Sequence, residues 1–170
     1  AQIRASVGQL TETADQIRAA GLPCEIVSSG GSGSYMVTAT VPGVTELQAG
    51  GACLMDRFYA EDCHMADLGF EWALTILATV AGRPAHAPHR AILDAGFKTL
   101  SDGMHKPLPI DLPDTEIEYL SAEHMNLRVG PNAPELKVGD KVRFLPEYTD
   151  TTTFRHDAFV AHRNGIVESI

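Results

Sequence analysis

Apolar positions follow two rhythms along this chain, and the change between them falls near residue 50. Over residues 6–20, Val7, Leu10, Ala14, Ile17 and Ala20 recur at three- and four-residue spacings, the period of one helix face. Gly21 and Pro23 stop that helix. Residues 24–28 predict a short buried strand, and residues 29–35 a loop made almost wholly of glycine and serine. Residues 45–49 predict a short helix closed by Gly50 and Gly51. Helix, strand, glycine loop and helix is the order of a βα unit. One such unit can neither close a sheet nor cover both its faces. The first 50 residues are therefore expected to belong to something larger, with more chain before them.

Beyond residue 50 the elements are short and strand-like. Apolar runs at 74–80, 91–94, 116–120, 126–129 and 141–145 are followed by a pair at 158–163 and 165–170, which meet at the hairpin dipeptide Asn164-Gly165. Pro107, Pro109 and Pro113 predict a loop over 102–115. Many short strands at regular spacing predict an antiparallel sheet or small barrel. The expected class is thus α/β over residues 1–50 and all-β over residues 51–170. Ile170 still has strand character, so the pattern is expected to run on past it.

Composition narrows the partners. The 170 residues are 44% hydrophobic, enough for a packed core. Thirteen Lys and Arg against 22 Asp and Glu give a formal net charge of -9. An acidic chain is a poor ligand for nucleic-acid phosphates, though a few backbone N–H groups can still build a local anion site. No apolar run approaches the roughly 18–20 residues of a membrane span, and no signal-peptide pattern opens the chain. Cys24, Cys53 and Cys63 make no CxxC pair, which fits reduced thiols and a cytoplasmic setting. Cys63 and His64 make a poor metal corner, since adjacent residues rarely face one ion. His86 and His89 have ligand-like spacing, but the proline between them predicts a surface loop.

One stretch carries chemistry. Gly30-Gly31-Ser32-Gly33-Ser34-Tyr35 directly follows the strand predicted at 24–28. Glycines let backbone N–H groups converge on an anion, and Ser32 and Ser34 add uncharged donors. A flexible loop of small residues would have the same composition. No Gly-Lys-Ser/Thr follows, so this is not a P-loop, and no GxGxxG opens a helix here.

The surroundings extend the pattern. In order along the chain come Thr45-Glu46-Leu47, Met55-Asp56 with Tyr59, Ala78-Thr79-Val80 with Arg83-Pro84, and Asp94-Ala95-Gly96-Phe97-Lys98. Glu123-His124, Val138-Gly139-Asp140, Leu145-Pro146 and His156-Asp157 complete the series. Together these pieces resemble the D-threonine aldolase and D-serine dehydratase-like family, over nearly the whole chain. The resemblance implies an alanine-racemase-like fold. Residues 1–50 would be the last βα unit of a TIM-type barrel that binds pyridoxal 5'-phosphate, and 51–170 the C-terminal antiparallel β domain. Gly31, Ser32, Gly33 and Ser34 would hold the cofactor phosphate, with Tyr35 beside them or starting the next core segment.

Further implications follow from the same resemblance. The family's Schiff-base lysine lies in the N-terminal barrel, and none of Lys98, Lys106, Lys137 and Lys141 matches it. The chain alone is expected to be inactive, its partner being the missing barrel segment. The family also carries a divalent metal, bound by a histidine and, two residues on, a cysteine or aspartate after a proline. Here Pro146 precedes Tyr148 and Asp150, so tyrosine takes the histidine's place. At i, i+2 on a strand both side chains would share one face. Aspartate favours Mg²⁺ or Mn²⁺ over Zn²⁺, whereas a neutral phenol, titrating near ~10, is a poor ligand. His124 is a candidate acid/base or substitute ligand, with a polar contact as its plainer role.

The implied activity is that of a lyase on β-hydroxy D-amino acids, by retro-aldol cleavage or dehydration, in a homodimer. The alternatives are a non-catalytic or racemase-like relative that keeps the phosphate site, or a β domain that serves only dimerisation. The sequence leaves the substrate, the reaction branch and the metal open.

Overall fold

The first apolar stripe forms helix α1, Gln2–Ala19, which buries Val7 and Ala14 and leaves Leu10 partly exposed. It ends in a Schellman turn. Gly21 takes a left-handed φ of 80°, its N–H donates to the Arg18 carbonyl, and the Leu22 N–H donates to that of Ile17. A computed structural model describes residues 1–170. The chain divides into two compact units, the first comprising Ala1–Met55 and Tyr59–Glu71, the second Asp56–Phe58 and Trp72–Ile170.

In the first unit two predicted elements are displaced. The strand expected at 24–28 is confined to β1, Ser28–Ser29, and the helix expected at 45–49 is instead strand β2, Glu46–Leu47, parallel to β1. Thr45 decides this locally. Its hydroxyl accepts the Val27 N–H at 2.8 Å while its own N–H donates to the Val27 carbonyl at 3.0 Å, which draws the segment into an extended pair. The helical segment lies earlier, where the glycine loop winds into a 3-10 turn, Ser32–Ser34, and runs on as α2, Tyr35–Thr38. A small core of Met55, Ala60 and Met65 packs with Tyr35, Tyr59 and Phe70.

The second unit is built on a six-stranded antiparallel sheet, β5-β8-β3-β4-β7-β6. Its strands are β3 (Ile76–Gly82), β4 (Arg90–Leu93), β5 (Leu108–Pro109), β6 (Thr115–Leu120), β7 (Met125–Val129) and β8 (Lys141–Leu145). Alternate residues of β3, namely Ile76, Ala78 and Val80, face the core with Leu93, Leu127 and Phe144. A bulge between Ile117 and Tyr119 resets the alternation, so Ile117 and Leu120 both point inward. The predicted proline-rich loop contributes only the two-residue edge strand β5, where Pro109 costs the sheet no central hydrogen bond. After β8 the chain forms a short helix α3, Thr149–Thr153. It ends in the separate hairpin β9 (Ala161–Arg163) and β10 (Ile166–Ser169), turned by Asn164 and Gly165 with φ of 51° and 79°.

Candidate functional site

The glycine loop of the first unit is a set of backbone donors braced by its own side chains. Gly30 enters it with φ 76°, and a Cβ there would lie 2.7 Å from Thr38 Oγ1, so the tight entry needs glycine. The Gly31 N–H donates to Ser34 Oγ at 3.1 Å, and the Ser34 N–H donates back to the Gly31 carbonyl at 3.0 Å. Ser32 is buried, and its hydroxyl accepts the Ala52 N–H at 2.9 Å while keeping a proton to donate. The N–H groups of Ser32 and Gly33 donate to no acceptor of the chain. Such first-turn donors are the ones a helix leaves for a ligand. A Cβ on Gly33 would come within 2.6 Å of Cys63 Sγ, which fixes the identity of that residue too.

A cleft of about 350 Å³ is lined by this loop from Ser32 to Val37 and by Cys63 to Met65, Asp67 and Leu68. Tyr35 also turns its ring edge-on to Phe70, centroids 6.0 Å apart, and packs with the Met55 cluster. His64 Nδ1 lies 3.5 Å from Asp67 on the exposed rim.

In the second unit, the turn after β8 carries the other candidate residues. The sequence predicts Tyr148 and Asp150 on one strand face, but the strand ends at Leu145 and Asp150 lies in the first turn of α3. Tyr148 is extended, with φ -147° and ψ 126°. The two side chains still meet, because the Tyr148 phenol donates to Asp150 Oδ2 at 2.8 Å. The Tyr148 ring stands edge-on to Phe58, centroids 5.5 Å apart. The residues on either side of Tyr148, Glu147 and Thr149, turn the other way. Glu147, 1% exposed, accepts the N–H groups of Gly103 (3.0 Å), Met104 (2.8 Å) and His105 (3.0 Å). Burial pushes this carboxyl up. Hydrogen bonds from Ser101, whose hydroxyl also lies 2.6 Å from Thr151 Oγ1, and from those three backbone groups outweigh burial and leave it below its ordinary 4.5. Fully buried Asp56 accepts both the N–H and the hydroxyl of Thr149, at 2.6 and 2.9 Å, and so caps α3. Sequence reasoning assigned neither Glu147 nor Asp56 a role. The signal available was two carboxylates in or beside apolar runs.

His124 sits exposed in the turn between β6 and β7, where its carbonyl accepts from Ser121 while its ring makes no hydrogen bond or ion pair. Nearby, a Cβ at Gly96 would collide with the Ser121 carbonyl and come within 2.6 Å of the His124 nitrogen. The four lysines are all engaged. Lys98 pairs with Glu123, whose hydrogen bond raises its pKa. Lys106 caps the carbonyls of Ile117 and Glu118, Lys141 reaches Thr79 Oγ1, and Lys137 faces Glu135. No group of three or more His, Cys, Asp or Glu side chains is placed to hold a metal ion. No helix is long and apolar enough to cross a membrane.

Comparison with known proteins agrees with this architecture. The D-threonine aldolase of Arthrobacter sp. is 36% identical over 170 residues, covering all of this chain and 43% of that protein. The structure of D-threonine aldolase from Filomicrobium marinum superposes with a TM-score of 0.81 at 29% identity, over 98% of this chain and 46% of that one. A variant of D-threo-3-hydroxyaspartate dehydratase, solved in a metal-free form, superposes with a TM-score of 0.73 at 27% identity, over 95% of this chain and 48% of that one. The chain thus spans less than half the length of the relatives it matches. A putative serine dehydratase domain matches residues 73–162, the greater part of the second unit. The chain belongs to the family of that domain, the one that includes the D-threonine aldolases.

Proposed function

We propose that this chain is part of a pyridoxal-phosphate-dependent lyase acting on β-hydroxy D-amino acids, by aldol cleavage or dehydration. The relatives' activities support the substrate class: one cleaves as a D-threonine aldolase, the other is a D-threo-3-hydroxyaspartate dehydratase. The single observation that carries the cofactor reading is the pair of unengaged N–H groups at Ser32 and Gly33, in a loop where a Cβ at Gly30 or Gly33 would meet a close neighbour.

In this reading residues 1–50 are the end of the cofactor barrel and 51–170 the β domain. Pyridoxal phosphate supplies an electron sink for charge developing at the substrate's α carbon. This chain's own share is binding and orientation. The N–H groups of Ser32 and Gly33 and the Ser32 hydroxyl donate to the phosphate. Ser34 and Gly31 hold each other in the turn that presents them, and Tyr35 anchors the start of α2 against Phe70. In the same reading the lysine that bonds the cofactor is supplied by the rest of the barrel, as the family resemblance implies; Lys98, Lys106, Lys137 and Lys141 instead meet Glu123, the Ile117 and Glu118 carbonyls, Glu135 and Thr79. The proposal extends to a homodimer. Phe159, Val160, Ile166 and Val167, left exposed around the terminal hairpin, support subunit contact.

The test is turnover. The full-length protein, carrying the cofactor lysine and supplied with pyridoxal phosphate, is incubated with D-threonine, D-threo-3-hydroxyaspartate and their L forms. Glycine release marks aldol cleavage, and ammonia release marks dehydration. Cofactor-dependent release from a D form alone supports the reading; no release from either D form, with the cofactor bound, refutes it in favour of a binding-only relative.

A further inference from the structure

We infer that Tyr148 and Asp150 form a phenol–carboxylate pair at the position where the family resemblance implies a metal-ligand pair, and that this chain retains no divalent cation there. The inference rests on the family reading only for the expectation that a ligand pair belongs at this position. The metal-free form in which the D-threo-3-hydroxyaspartate dehydratase variant was solved implies a metal in that relative.

Two features of the turn carry the inference. The first is the donor set. The Tyr148 phenol donates to Asp150 Oδ2 at 2.8 Å, so residue 148 meets the carboxylate as a hydrogen-bond donor and offers an ion no second anionic or imidazole ligand. Divalent Mg²⁺ and Mn²⁺ select carboxylate, carbonyl and water oxygens, and Zn²⁺ adds imidazole and thiolate; a protonated phenol belongs to neither set.

The second feature is that the neighbouring carboxylates are committed elsewhere. Glu147 is turned away onto the N–H groups of Gly103, Met104 and His105. Asp56 is held by the N–H and hydroxyl of Thr149. With Glu147 and Thr149 pinned inward, no group of three or more His, Cys, Asp or Glu side chains forms around Asp150. The same bracing positions residue 148 beside residue 150, so a single change of side chain rebuilds a ligand pair. Tyr148→Phe would keep the ring against Phe58 and remove only the hydrogen bond.

The experiment is a Mn²⁺ titration of the purified protein, read as loss of the electron paramagnetic resonance signal of free aqueous Mn²⁺. No turnover is involved, so absence of lyase activity would count against the proposed function and leave this inference standing. The parent protein should leave the signal unchanged, or take up Mn²⁺ equally in the parent and Asp150→Asn. Tyr148→His should gain one saturable site that Tyr148→His/Asp150→Asn loses. Uptake of one equivalent by the parent, abolished by Asp150→Asn, overturns the inference. So does a folded Tyr148→His that gains no site, because tyrosine would then not be what closes the position. Should Tyr148→His fail to fold, thermal unfolding of the parent with Mn²⁺ and with EDTA decides. An unchanged midpoint upholds the pair, and a midpoint raised by Mn²⁺ and restored by Asp150→Asn overturns it.

Discussion

Replacing Glu147 with glutamine tests whether a buried carboxylate organises the turn that carries Tyr148 and Asp150. One oxygen accepts Gly103, and the other accepts Met104 and His105. A glutamine of the same shape must point its NH₂ at one or two of these donors, and its remaining oxygen accepts without charge. A hydrogen bond to a charged group contributes about 1.5–3 kcal/mol, and an orphaned buried donor costs about 1–3 kcal/mol. With partial relaxation, the loss expected for Glu147→Gln is about 2–4 kcal/mol at pH 7. The pH dependence has a defined sign. The folded pKa lies below the ordinary 4.5, so the carboxylate's contribution is complete above that value and is lost as pH falls through the lower folded pKa. Urea unfolding followed by Trp72 fluorescence and circular dichroism, at pH 7 and in acid, measures both. The two proteins should differ widely at pH 7 and converge in acid. A difference within about 0.5 kcal/mol at pH 7, the scatter of ordinary surface substitutions, would refute the reasoning.

Three further substitutions probe the rest of the chain. Gly33→Ala puts a Cβ 2.6 Å from Cys63 Sγ, an overpacking of about 1–3 kcal/mol; it should weaken pyridoxal phosphate binding about 10-fold or more, and Gly33→Ala/Cys63→Ala should recover most of it in a fluorescence titration. Gly96→Ala drives a methyl into the Ser121 carbonyl and should lower stability by more than about 3 kcal/mol, read as a lost or strongly shifted urea midpoint. Phe144→Ala empties a fully buried site on β8, opposite Ile76 of β3, and should cost about 3–5 kcal/mol in the same assay.

What was legible in the sequence follows from the range of the forces involved. The sheet strands were readable because side-chain alternation is local, as in Ile76, Ala78 and Val80, and β8 matches its predicted bounds of 141–145. The terminal hairpin was readable because Asn164-Gly165 fits a turn with both φ positive. The first unit was harder. The helix expected at 45–49 is a strand because Thr45 bonds Val27, 18 residues away, and no local propensity registers that partner. The phosphate-loop residues were visible as glycines and serines in a row, but which N–H groups stay unengaged depends on Ser34 folding back onto Gly31 and on Ala52 reaching Ser32. Tyr148 and Asp150, expected on one strand face, instead lead into a helix for the same reason. That helix is capped by Asp56, 93 residues before Thr149.

The most direct test of the central claim compares equilibrium binding of pyridoxal phosphate and of pyridoxal, which lacks the phosphate, to the purified protein. If the Ser32 and Gly33 N–H groups hold the phosphate, pyridoxal phosphate binds at least about 10-fold more tightly, a difference of about 1.4 kcal/mol, and Gly33→Ala narrows the gap. Equal affinities for the two, unchanged by that substitution, would contradict the account.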